Sequence, residues 1–261
     1  MPAVELRPRS VAAMIDTVVH LMRQRYADYL VVAIVPALPA FLVLAFAPES
    51  ALTLATRLCL VFSQPVTAVA TAVLVGGAYR GETTTTGEAL RKAGRLLRSS
   101  INVNISRGVL VLLGALLLIV PGFIVLAWVY VALVVLALEG TDINGSLRRS
   151  RELARGSVGR ILGTWLAVTV AYFVAVLSFG FVVGWIAGLT VHHLSPRLAE
   201  VAGTLGTLIF LPLPMIAPVV VYHDLRIRKE GLDLELLAAD IDREVAQQAG
   251  VPAVGAIAPE T

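Results

Sequence analysis

At 261 residues the chain is 57% hydrophobic and only 15% charged, well below the roughly 25% charged residues of soluble globular domains. Its net charge is +3, and 19 of its 21 Lys and Arg residues hug the edges of apolar runs on one predicted side, leaving Arg57 and Arg197 on the other; that distribution excludes a nucleic-acid footprint. A single cysteine, Cys59, excludes an intrachain disulfide and a cysteine-based zinc site.

Residues 1–9 are polar. From Ser10 to Arg25, Val11, Met14, Ile15, Val18 and Met22 share one helical face, with Asp16, His20 and Arg23 opposite. Residues 1–28 therefore read as a terminal segment holding an amphipathic helix suited to the membrane interface. The first apolar run, Tyr29–Ala47, follows Glu5, Asp16 and Asp28 and exceeds the length of a signal-peptide core, so it reads as a span, kinked at Pro36 and Pro39. A second span over 58–78 carries Gln64-Pro65. Next comes a basic segment, Arg80–Arg107, in which Thr85-x-x-Glu88 is a capping box that starts a helix. On that helix Leu90, Ala93 and Leu97 share a face, with Arg91, Arg95 and Arg98 on another.

The 30 residues from Gly108 to Ala137 are too many for one crossing of about 20. They read as spans 105–120 and 122–138, with Pro121 and Gly122 forming the hairpin turn. Charge supports the hairpin over one long helix, because it places both basic flanks on one side. A second basic helix, Ser146–Arg155, puts Leu147, Ser150 and Ala154 on its narrow face and Arg148, Arg149 and Arg155 away from it. Span five covers 161–186, a loop holds His192, His193 and Arg197, and span six, 201–222, contains Pro212, Pro214 and Pro218. The six spans make residues 29–230 a transmembrane domain, and 231–261 an acidic tail whose last residues have little to bury.

The fold expected is thus all-α: a polytopic membrane helix bundle of about six spans with amphipathic interfacial helices. Leu90-Arg91-Lys92-Ala93-x-x-Leu96-x-Arg98 matches Leu147-Arg148-Arg149-Ser150-x-x-Leu153-x-Arg155 at an offset of 57. Each is followed by a hairpin, as is the N-terminal helix, which suggests three copies of interfacial helix plus hairpin.

Catalytic chemistry is absent from this reading. No span drawn in this way has an ionisable residue near its middle, which argues against ion-coupled transport. Gln64-Pro65 and the prolines of span six are the candidates for backbone-based binding, a kinked and internally bonded helix being the plainer alternative. His192-His193 with Glu200 lack a third strong metal ligand, and His223-Asp224 read as an interfacial cap on span six. We expect no catalytic residues, metal or cofactor. Lipid-headgroup or interfacial anchoring falls to Arg91, Lys92, Arg95, Arg98, Arg148, Arg149, Arg151, Arg155, Arg226, Arg228 and Lys229. The expected partners are the bilayer and a protein, not nucleic acid, in a plasma membrane with both termini cytoplasmic. The expected role is a scaffold or accessory; the alternative is a passive carrier for small or lipid-related molecules, which requires a cavity near Gln64 and Pro212–Pro218.

Ile119-Val120-Pro121-Gly122-Phe123, Val135-Leu136-Ala137-Leu138-Glu139-Gly140 and Ser146-Leu147-Arg148-Arg149-Ser150-Arg151-Glu152-Leu153-Ala154-Arg155-Gly156 carry a family resemblance. Together with Asp224-Leu225-Arg226-Ile227-Arg228-Lys229-Glu230-Gly231, they resemble the bacterial membrane domain of glycerophosphoryl diester phosphodiesterase and related six-helix proteins, notably actinobacterial ones. The resemblance covers residues 107–235 best. It implies the membrane part alone, because the His-Arg-Gly and Glu-x-Asp motifs of the family's hydrolytic domain have no match here.

Overall fold

The computed structural model describes residues 10–190 and 195–231, and every regular element within them is helical. The acidic tail, His192, His193 and residues 1–9 lie outside the described residues. Three times a short helix precedes two long apolar arms. Helix α1 (Val11–Gln24) leads to α2 (Tyr26–Phe46) and α3 (Glu49–Tyr79). Helix α4 (Thr86–Arg95) leads to α5 (Leu97–Leu117) and to an arm split into α6 (Ile119–Val129) and α7 (Ala132–Glu139). Helix α8 (Ile143–Ala154) leads to α9 (Val158–Thr190) and to α10 (Pro196–Phe210) and α11 (Pro212–Glu230).

Local chemistry sets the starts and stops. Ser10, Thr85 and Asp142 cap α1, α4 and α8, each side-chain oxygen accepting from an amide three residues on. The Thr85–Glu88 capping box forms in full. The second arms end at Gly81, Gly140 and Gly231, whose φ values of 69°, 67° and 65° lie in the left-handed region that glycine enters without a Cβ penalty.

Six segments are long and apolar enough to cross a membrane: 26–46, 51–79, 97–117, 119–139, 158–189 and 196–230. Three of them outrun the predicted limits for physical reasons. Arg57, taken for a loop residue, stays in α3 facing Glu200 at 3.8 Å. The polar stretch Arg98–Ser106 is helical and forms the first half of α5. Asp224 and Arg228 extend α11 because they pair across one turn, Arg228 Nε to Asp224 Oδ2 at 2.9 Å.

Burial separates the arms. The second arms bury 61%, 56% and 61% of their most apolar windows, and the first arms only 33%, 17% and 6%, so α3, α6–α7 and α11 form the centre. The outer arms present Leu42, Leu112, Phe173 and Leu177 to the surroundings, as a lipid-facing surface does. The short helices do not simply rest on a membrane surface. Met14 and Val18 of α1, Ala89 and Ala93 of α4, and Ser146 and Ser150 of α8 are fully buried against the bundle.

Connectivity and polar contacts define two ends. At the basic end, Arg25 reaches Asp28 and the Thr84 carbonyl, Arg160 faces Asp224, and Lys229 donates to the Glu152 carbonyl. At the opposite end Arg197 donates to the carbonyls of Leu44, Ala45 and Ala47 at 2.6–2.8 Å, tying off the C-terminus of α2.

The capping box carries a pH prediction. Hydrogen bonds from the Thr85 amide and hydroxyl hold the Glu88 carboxyl below its ordinary pKa. Its contribution is therefore present above the unfolded carboxylate value of about 4.3 and is lost as pH falls through the lower folded value. Intrinsic-rate-corrected amide exchange in the first turn of α4 should rise over that window, and Glu88→Gln should abolish the dependence. An unchanged profile in Glu88→Gln would assign the effect elsewhere.

Candidate functional site

Halfway along the spans, five segments leave a cavity of about 170 Å³. Gln64 contributes from α3, fifteen residues from either end, and Arg107 from α5, ten residues from either end. At ~1.5 Å per residue, Arg107 lies about 15 Å from either end of its helix. Tyr130 joins them from the break between α6 and α7, Trp165 and Thr169 from α9, and Pro214 and Pro218 from α11. Asn104, one turn before Arg107, completes the polar lining.

Arg107 differs from the sequence expectation in its place along the helix, α5 beginning at Leu97. The limits drawn from sequence put Arg107 at a span edge; the longer helix puts it at the centre. Residue 107 is half-buried as a whole. Its Nε is buried without a hydrogen-bond partner among the described residues. Among the described residues no acidic side chain lines the cavity.

Broken helices accompany the site. Tyr130 donates to the Ala127 carbonyl at 3.4 Å, a tighter turn than α-helix, and the helix restarts at Ala132. Across the bundle, Leu211 interrupts the run before Pro212, and Pro214 and Pro218 have no amide hydrogen to give the carbonyls one turn back. Gln64 is exposed and forms the α3 side of the lining. The lining holds one permanent positive charge, two amides, two hydroxyls and an indole.

The predicted anchoring residues separate into two groups. Arg91, Lys92, Arg95, Arg98, Arg148, Arg151, Arg155 and Lys229 are exposed, while Arg228 pairs with the buried Asp224 at 2.9 Å. Arg80, Arg91, Lys92 and Arg95, with Glu88, line an open groove of about 540 Å³ at the basic end. Arg151 lies 4.4 Å from the centre of the Trp128 ring, a cation–π distance. Arg149 and Arg226 instead turn inward. Arg149 bridges Glu139 of α7, at 3.2 Å, and Glu230 of α11, while Arg226 reaches Glu230 at 2.8 Å. Burial alone would lower the Arg149 pKa; the two carboxylates outweigh it and hold it above its ordinary value. Tyr222 adds a 2.8 Å hydrogen bond to Glu139.

His223 and Asp224 are not a terminal cap, since both are buried within α11. The imidazole stacks on Tyr79 with centroids 3.9 Å apart, and Asp224 faces Arg160 at 3.6 Å as well as Arg228. Pro121 and Gly122 are displaced from the turn they were assigned. The chain reverses at Leu118, extended at φ −174° and ψ 157°, and Pro121 sits in the first turn of α6, where a missing amide hydrogen costs little. Gly122 lies where the arms touch, closest to Ala115. Glu200 faces Arg57 and accepts from Thr53, and among the described residues no three His, Cys, Asp or Glu side chains gather as a metal site.

Sequence reasoning missed Asn104, Arg107, Tyr130, Trp165 and Thr169. One signal was present: Ser100, Asn104 and Arg107 recur at i, i+4 and i+7, one face of the polar first half of α5. No family model, curated protein or solved structure matches the chain, so the family resemblance rests on the quoted motifs alone.

Proposed function

We propose that the chain is a non-catalytic multi-pass protein of a bacterial plasma membrane that binds and passively carries a small polar or lipid-related molecule at a site midway across the bilayer. The arginine-bearing cavity beside broken helices carries this reading. Intramembrane charge and interrupted helices are the usual marks of a substrate path. In this reading both termini face the cytoplasm, following the basic residues at one end.

A threefold repeat supports the same architecture. The buried positions Met14/Val18/Leu21 and Ser146/Ser150/Leu153 share one four-then-three spacing, continued in α4 by the buried pair Ala89/Ala93 and the half-buried Leu96. Each unit opens on a polar cap and closes on a left-handed glycine. The Tyr130–Val131 break and the Leu211 break before Pro212 interrupt two of the central arms, and Pro65 sits at the middle of the third, the continuous α3. Repeats that place interrupted helices around a midplane site are a recurrent carrier plan.

Cysteine accessibility in native membranes tests the reading. In a Cys59→Ala background, Gln64→Cys should react with a membrane-impermeant maleimide, while the lipid-facing Leu113→Cys should stay inert. If both are inert, the cavity is dry and carriage fails. The scaffold role, which needs only the open basic groove, would then replace it.

A further inference from the structure

Resting on that reading, we propose that the cavity binds a small oxyanion, a phosphate or carboxylate group, and that Arg107 is its charged anchor. The deeper arginines elsewhere are provided for: Arg25 pairs with Asp28, Arg149 with Glu139 and Glu230, Arg160 with Asp224, and Arg197 with three carbonyls. Arg107 has no such partner among the described residues, and its Nε is buried and unsatisfied. A guanidinium does not escape this by losing its proton. An unpaired charge at that depth is strongly unfavourable unless something from outside pairs with it.

The polar members of the lining suit an anion. Gln64 and Asn104 offer amide N–H groups, Thr169 a hydroxyl and Trp165 an indole N–H, with no carboxylate among the described residues to repel negative charge. The guanidinium fork fits two oxygens of a carboxylate or phosphate. Size limits the ligand. A cavity of about 150 Å³ accepts benzene, and the 170 Å³ here admits an oxyanion with a few further atoms rather than a large solute. The group can belong to a soluble ion or to a lipid headgroup.

The test uses the full chain. In neutral detergent, inorganic phosphate and acetate are titrated against chloride at constant ionic strength, following the thermal unfolding midpoint. In nanodiscs, phosphatidylcholine is compared with and without phosphatidylglycerol. An oxyanion should raise the wild-type midpoint, and Arg107→Gln should weaken the apparent affinity about tenfold or more. Without anion, Arg107→Gln should melt higher than wild type, because an unpaired charge has gone. Arg107→Lys should fall between them, keeping the charge and losing the fork. Response to phosphate or acetate identifies a soluble ligand; an Arg107-dependent response to phosphatidylglycerol alone identifies a lipid headgroup. Should Arg107→Gln not fold, Arg107→Lys and Gln64→Leu make the comparison. Equal responses in wild type and variants, or none in wild type, overturn the proposal. If Gln64→Cys labels but no Arg107-dependent response appears, the oxyanion fails and the carrier reading stands; a dry cavity sinks both.

Discussion

Gly122→Leu is expected to force apart the arms of the α5–α6 hairpin and destabilise the protein by about 3 kcal/mol, the upper end of typical overpacking costs. A Cβ at residue 122 would lie 2.9 Å from the Ala115 Cα and 3.0 Å from its nitrogen. Both are backbone atoms, so rotating a side chain gives no relief. The contact is reciprocal, with a Cβ on Gly114 falling 3.2 Å from the Gly122 Cα. Helices in lipid gain little from burying apolar surface against each other and depend on such close approach. Gly108→Leu is the matched control: it lies on α5 with nothing within 4 Å of the added Cβ, and it should be neutral. Denaturation of the purified variants in mixed detergent micelles measures the difference. Equal stability of the two variants would mean that the hairpin does not depend on this contact.

The turn shows what local sequence signals do and do not carry. Pro121-Gly122 has the composition of a reverse turn, and its spacing between apolar runs invites that reading. In the folded chain a single extended residue, Leu118, makes the reversal, and the proline and glycine serve the helix after it. Gly114 and Gly122 stand four residues either side of Leu118, a symmetry that marks the crossing more directly than the Pro-Gly pair. Span existence was legible because apolar length is a direct demand of the bilayer. Span limits were not. Arg57, Asp224 and Arg228 look like loop residues until Glu200 and Arg160, distant in sequence, are placed beside them.

The site was legible only in fragments. Gln64-Pro65 and the prolines of the last arm stood out as breaks in apolar runs, and they do line or adjoin the cavity. Arg107 was hidden by its neighbours, because a run containing Arg98, Ser99, Ser100, Asn102, Asn104 and Ser106 reads as a loop when polarity is averaged. Only the helical phase of Ser100, Asn104 and Arg107 separates an inward polar stripe from a solvated segment. Nothing local points to the Arg149 bridge, whose partners come from ten residues before and about eighty after.

That bridge should account for the second large effect. Arg149→Met is expected to destabilise the protein by about 3 kcal/mol, the lower figure for removing one partner of a buried ion pair. The substitution leaves Glu139 and Glu230 facing each other with side chains only 21% and 23% exposed. Tyr222 and Arg226 still touch one carboxylate each, which keeps the loss from growing further. The neighbouring Arg148 provides the contrast: 82% exposed and 3.7 Å from Glu152, its replacement by methionine should change stability by no more than about 1 kcal/mol. Adding Glu139→Gln and Glu230→Gln to Arg149→Met should recover most of the loss, since the penalty lies in the stranded charges and not in the missing contact. Thermal unfolding of the four proteins in one detergent decides the matter. If Arg149→Met behaves like Arg148→Met, the joint between α7, α8 and α11 is made by Ser146, Ser150 and Leu153 packing alone. If the triple variant is worse than the single one, the polar contacts of Tyr222 and Arg226 with the carboxylates outweigh the stranded charge. A rescue would instead show that the loss comes from the stranded carboxylates, and that the joint at the base of the central arms holds once those charges are gone.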